Sequence, residues 1–146
     1  MDLKLNNKTA LITGASKGIG SGISETFASE GVNLFLTARS ENELNDLKDK
    51  LIELYRIKVE IIPLDIREPQ STSILVENCK NIDFLINNAG DIPSGSLFDL
   101  NEDSWRKGWE LKVFGYINMC RAFYPILKKN GGGVIVNNIG NGGEIF

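Results

Sequence analysis

The sequence predicts a doubly wound α/β fold: a parallel sheet of about five strands with helices on both faces. Three observations predict it. Short apolar runs bounded by turn residues recur at 9–12, 32–38, 59–64, 82–86 and 134–136. Segments with helical spacing of apolar residues separate these runs. The first run passes through a glycine-rich turn directly into a helical segment. Strands alternating with helices pair in parallel, because right-handed crossovers carry the chain back over the sheet.

Thr9-Ala10-Leu11-Ile12 reads as the first buried strand, and Ile19 to Glu30 as a helix halted by Gly31. Val32 to Ala38 is the second strand. Ser40 opens the next helix, with Glu43 three residues on completing a capping box. Leu44, Leu47, Leu51, Leu54 and Tyr55 form its apolar face. Val59 to Leu64 is the third strand. Pro69 stands where a helix begins, with Ile74, Leu75 and Cys79 facing inward. Ile82 to Ile86 is the fourth strand. A long helix is expected from Asp103 to Lys129, with Trp105, Trp109, Val113, Tyr116, Ile117 and Cys120 along one face. Gly131-Gly132-Gly133 breaks it before the fifth strand, Val134-Ile135-Val136.

The 146 residues suit one domain, spanning 1–146, with a core of useful size. The net charge of −3, from 16 basic and 19 acidic residues with no run of one sign, argues against nucleic acid or a membrane surface as partner. No apolar run approaches the roughly 18 residues of a membrane span, and Met1-Asp2-Leu3-Lys4 has no signal-like core. Cys79 and Cys120 fit no metal spacing and read as half-buried thiols in a reducing, cytoplasmic setting. No metal site is expected. Histidine is absent, so any acid–base chemistry uses other groups.

Thr13-Gly14-Ala15-Ser16-Lys17-Gly18-Ile19-Gly20 lies between a strand and a helix, the context a nucleotide pyrophosphate needs. Glycines let the backbone approach the phosphates, and the helix aims free N–H groups and its positive end at the anion. Gly14, Ser16, Lys17, Gly18, Ile19 and Gly20 are the candidate contacts. The plainer alternative is an ordinary turn. The end of the second strand meets the adenosine ribose, about 20 residues past the glycines. There the chain reads Thr37-Ala38-Arg39-Ser40, with no carboxylate before Glu41. An acid would bind the 2′-hydroxyl of NAD, whereas Arg39, with Lys17, suits the 2′-phosphate of NADP. The other reading leaves both cations as solvated surface charges.

With Leu64-Asp65-Ile66 and Asn87-Asn88-Ala89-Gly90 added in this order, the chain resembles the short-chain dehydrogenase/reductase family from about Lys8 to Phe146. The resemblance implies a Rossmann-type fold and NADP-linked interconversion of a carbonyl and an alcohol by hydride transfer. It implies that Asp65 bonds the adenine amino group beside Ile66. It also implies that Asn87, Ala89 and Gly90 brace the sheet and line the cofactor cleft.

The family's chemistry uses a Tyr-x-x-x-Lys pair, assisted by a serine and an asparagine. Here Tyr55 and Tyr116 have Val59 and Cys120 four residues on. Tyr124 has Lys128, but it precedes the fifth strand, whereas the family motif follows it. Gly140 falls at the serine position and Lys112 at the asparagine position. Lys112 reads either as a cation for the site or as an exposed helix lysine. The expected reading is a truncated reductase, incomplete at the C-terminal side of its sheet and weakly active or inactive. The alternative is a non-catalytic nucleotide-binding or interaction module. Self-association is expected, through the long helix or the open strand edge.

Overall fold

The protein is described by a computed structural model over residues 3–91, 93–96 and 98–140, so the expected family segment after Gly140 lies outside the described residues. Five strands, β1 (Thr9–Thr13), β2 (Asn33–Thr37), β3 (Val59–Ile61), β4 (Phe84–Asn87) and β5 (Val134–Asn137), form one sheet. All neighbours pair in parallel, in the order β3-β2-β1-β4-β5. Helices α1 (Gly18–Ser29), α2 (Glu41–Tyr55) and α3 (Ser71–Asn78) connect the first four strands. Between β4 and β5 come α4 (Glu102–Trp109), a π-helical turn (Glu110–Gly115) and α5 (Tyr116–Lys129).

Strand alternation divides the core between the two faces of the sheet. Ala10 and Ile12 join Leu34, Leu36 and Ile86 under Ala28 of α1 and Leu44, Leu47 and Leu51 of α2. Leu11 and Leu85 face the other way, against Leu75, Cys79, Met119, Phe123 and Leu127. Both faces are therefore covered over the central strands, whereas Val134 and Val136 of β5 are exposed. The strand order changes direction at β1 and β4, which opens a crevice at the carboxyl ends of the central strands.

Several expected boundaries and faces shift. β3 ends at Ile61 because Pro63 has no N–H to give a ladder, although Ile62 and Leu64 still donate to Leu36 and Ala38. α3 begins at Ser71, not Pro69, because the turns Glu68 N–H to Asp65 and Ser71 N–H to Glu68 use up the preceding residues. Leu54 and Ile74 are exposed, leaving Leu44, Leu47 and Leu51 to bury α2, and Leu75 with Cys79 to bury α3. Cys79 is fully buried, more than the half expected.

The largest departure is the long helix. It runs without a gap from Glu102 to Lys129, as expected, but widens to π winding at Glu110–Gly115, and Trp109, Val113 and Ile117 point outward. Tyr116 is buried as expected, and Leu111, Met119, Phe123 and Leu127 complete the inward face. The wide turn takes up an extra residue and rotates the helix face between α4 and α5. At its end Gly115 is buried against Ile66, where a Cβ would come within 3.3 Å of that side chain.

Candidate active site

A cleft of about 460 Å³ lies at the carboxyl ends of the strands, within the size range of small-molecule sites. The glycine turn after β1 forms its floor. Gly14 has φ +64°, and a Cβ there would come within 2.7 Å of the Ala89 backbone. A Cβ on Gly20 would collide with the Gly14 carbonyl oxygen and reach 2.7 Å from Asn88 Nδ2. Turn, helix and β4 loop thus meet backbone to backbone, which only glycine permits. Lys17 precedes α1 in extended conformation, and its side chain does not cap the helix. The first-turn amides lack intrahelical acceptors, and the positive end of the helix dipole lies with them.

A ladder of side chains fixes the walls. The Thr13 hydroxyl donates to Ile86 O at 3.3 Å and accepts from the N–H groups of Asn88 and Ala89 at 2.9 and 3.1 Å. Asn88 Nδ2 donates to the carbonyls of Thr13 and Gly14. Asn138 Nδ2 donates to Asn88 Oδ1 and Asn87 Nδ2 to Asn137 Oδ1, each at 2.8 Å. These two bonds span β4 and β5, where Asn87 and Asn137 are in register.

The charged groups fall at two ends. At the β2 end, Arg39 Nη1 lies 3.3 Å from Asp91 Oδ2. Beside it Arg67 grips Asp65 through Nε and Nη2, the shortest contact being 2.6 Å, and also through its backbone N–H. The Arg67 side-chain hydrogen bond, opposed by burial, holds the Asp65 carboxyl below the usual carboxylate range. At the β5 end, Lys112 Nζ donates to the Tyr116 hydroxyl at 2.9 Å and to the Asn138 carbonyl, and sits 4.9 Å from the centre of the Tyr116 ring. The Tyr116 hydroxyl donates to the same carbonyl at 3.1 Å. Burial lowers the Lys112 pKa and pushes the Tyr116 phenol up to about 12.

Of the residues the sequence singles out, Gly14, Ser16, Lys17, Ile19, Gly20, Arg39, Ser40, Asp65, Ile66, Ala89, Gly90 and Lys112 line this one cleft. Gly18 starts α1 and does not line it. Asn87 lies behind the wall, fully buried, with Cys120 and Asn137 as neighbours. Gly140 is exposed, and Tyr124 is exposed on α5; neither lines the cleft. Asp91 and Asn138 line it without having been singled out. The paired Asn137-Asn138 after Asn87-Asn88 was the available signal for Asn138; no motif marked Asp91.

Residues 8–145 match the family model described as short chain dehydrogenase. Over 142 residues the chain is 36% identical to the oxidoreductase UcpA of Escherichia coli K12, covering 93% of this chain and 53% of UcpA. It is 32% identical over 139 residues to the 7alpha-hydroxysteroid dehydrogenase of the same strain, covering 92% of this chain and 54% of that enzyme. The L-sorbose reductase of Gluconobacter frateurii, solved with NADPH and L-sorbose, superposes with a TM-score of 0.87 at 32% identity. That superposition covers 92% of this chain and 53% of the reductase. The chain spans about half the length of the curated relatives it matches.

Proposed function

This chain belongs to the short-chain dehydrogenase family, a family of NAD(P)-dependent oxidoreductases, and from that premise we propose that its cleft holds NADP(H) for interconversion of a carbonyl compound and an alcohol. The observation that carries the reading is the backbone cradle at Gly14 and Gly20 beneath the open end of α1. A pyrophosphate fits there because a Cβ would fill the space and the amides need an acceptor. The NADPH of the sorbose reductase supports the choice of cofactor class.

When bound, the nicotinamide supplies or accepts the hydride. The chain's own residues bind and orient. Ser16, Lys17 and Ile19 surround the phosphates with Gly18 behind them. Asp65 and Ile66 border the adenine, and Ala89 and Gly90 run along the cofactor. Asn87 braces the wall. Arg39, with Lys17 and Ser40, takes the 2′-phosphate, which is the basis for NADP over NAD. Lys112 has two of its three N–H donors engaged by Asn138 and Tyr116. The third remains for an oxygen of the substrate or cofactor, so Lys112 is the candidate cation of the reacting end. Tyr116 stays a neutral phenol near pH 7 and holds Lys112 in place.

None of the three tyrosines lines the cleft. The chain's exposed apolar residues on α4, the π-turn and α5 are a surface for self-association. Among the described residues no helix is long and apolar enough to cross a membrane. With two free thiols, a reducing cytoplasm suits the protein.

Calorimetric titration with NADPH and with NADH tests the reading. Saturable binding, tighter for NADPH, is expected. Binding of neither nucleotide overturns the cofactor assignment. Loss of NADPH absorbance against a panel of ketones and aldehydes then separates turnover from binding.

A further inference from the structure

We propose that Asp91 is a specificity-determining residue: its carboxylate competes with the 2′-phosphate of the cofactor for Arg39 and so moderates the preference for NADP(H). The proposal rests on the reading of the cleft as an NADP(H) site. Arg39 follows β2 and Asp91 follows β4, the two strands flanking β1. Their ion pair at 3.3 Å therefore spans the carboxyl end of β1, across the glycine turn. Both side chains line the cleft.

The neighbouring arginine shows why Arg39 is the group free to change partners. Arg67 and Asp65 are locked by a chelating pair of side-chain bonds and are only 27% and 23% exposed. Arg39 and Asp91 share one longer contact and are 60% and 53% exposed. An exposed single-contact pair is weak and exchanges readily. A phosphate approaching Arg39 meets a guanidinium already partnered, with a carboxylate beside it. It must displace Asp91 or accept repulsion at close range. The neutral 2′-hydroxyl of NAD(H) meets no such repulsion. Asp91 thus weakens NADP(H) selectively, through Arg39.

The test is a calorimetric cycle. The full chain, Asp91→Asn, Arg39→Ala and the double variant are each titrated with NADPH and NADH, with circular dichroism to confirm folding. Asp91→Asn is expected to tighten NADPH by about two- to fivefold and to leave NADH nearly unchanged. In the Arg39→Ala background the gain should vanish. Equal tightening of both cofactors, or weaker NADPH binding by Asp91→Asn, overturns the proposal while leaving the cleft a nucleotide site. Failure of the parent chain to bind either nucleotide overturns the cofactor reading and this proposal together.

Discussion

Lys112 and Tyr116 stand four residues apart, their polar ends meet at 2.9 Å, and both donate to the single carbonyl of Asn138. A half-buried ammonium is thereby tied to the end of β5 by a phenol and a peptide oxygen. Among the described residues, no carboxylate forms a salt bridge with Lys112. The arrangement keeps a positive charge at the cleft wall without neutralising it.

Alkaline stability should report the burial of the Tyr116 phenol. Burial raises the Tyr116 pKa from 10.0 to about 12 in the folded chain. Between those values the unfolded chain releases a proton that the folded chain keeps, so unfolding is favoured. The Tyr116 contribution is fully present below pH 10 and is lost as pH rises through about 12. Tyr116→Phe is expected to flatten that part of the pH–stability curve, measured by urea unfolding. An unchanged alkaline slope would show that Tyr116 titrates as an ordinary exposed phenol.

The glycine cradle predicts a coupled loss of binding and stability at Gly20. Gly20→Val places a branched side chain against the Gly14 carbonyl and Asn88. Overpacking of this kind costs about 1–3 kcal/mol. A lower thermal midpoint and loss of NADPH binding are both expected. Retained nucleotide affinity in a folded variant would reduce the loop to a simple turn.

Arg39 sets the sign of cofactor preference. Arg39→Asp removes the phosphate partner and adds repulsion, while offering a carboxylate to the 2′-hydroxyl of NAD. A charge-assisted bond of about 1.5–3 kcal/mol corresponds to roughly a ten- to hundredfold loss of NADPH affinity. NADH is expected to become the tighter ligand. An unaltered order in paired titrations would place the 2′-position elsewhere.

Self-association should follow the outward aromatic face. Trp109, Phe114 and Ile117 are exposed, and so are Val134 and Val136 on the edge strand β5. Multi-angle light scattering at micromolar concentration is expected to show a species larger than the monomer. Trp109→Glu should shift it toward monomer if the helices carry the contact, and Val136→Lys if the strand edge does. A monodisperse parent monomer counts against both routes.

The parts of this molecule legible in the sequence are those fixed by local signals. Apolar runs such as Ala10-Leu11-Ile12 mark strands because both faces of a parallel sheet are dry. The glycine turn is readable because steric demands at Gly14 and Gly20 leave a compositional trace. The Arg39–Asp91 pair was not readable: its members are 52 residues apart and meet only because β2 and β4 flank β1. The outward turn of Trp109 and Ile117 was missed because regular 3.6-residue spacing assumes α-helical winding throughout, and Glu110–Gly115 is wound more widely. A π-turn leaves the apolar composition intact and changes only which residues face inward.

That turn makes chain length, not side-chain identity, the sensitive quantity between Glu110 and Gly115. Removing any one residue there would let the helix wind regularly from α4 into α5. It would leave α4 close to its present rotational setting, because the wide turn already absorbs the extra residue, and would shift the register of the turn's own side chains. Trp105 and Trp109 would keep their present face, whereas Lys112, inside the turn, would lose its place beside the Asn138 carbonyl. Substitutions along this stretch are correctable by repacking, but a single-codon deletion would re-index one whole wall of the cleft.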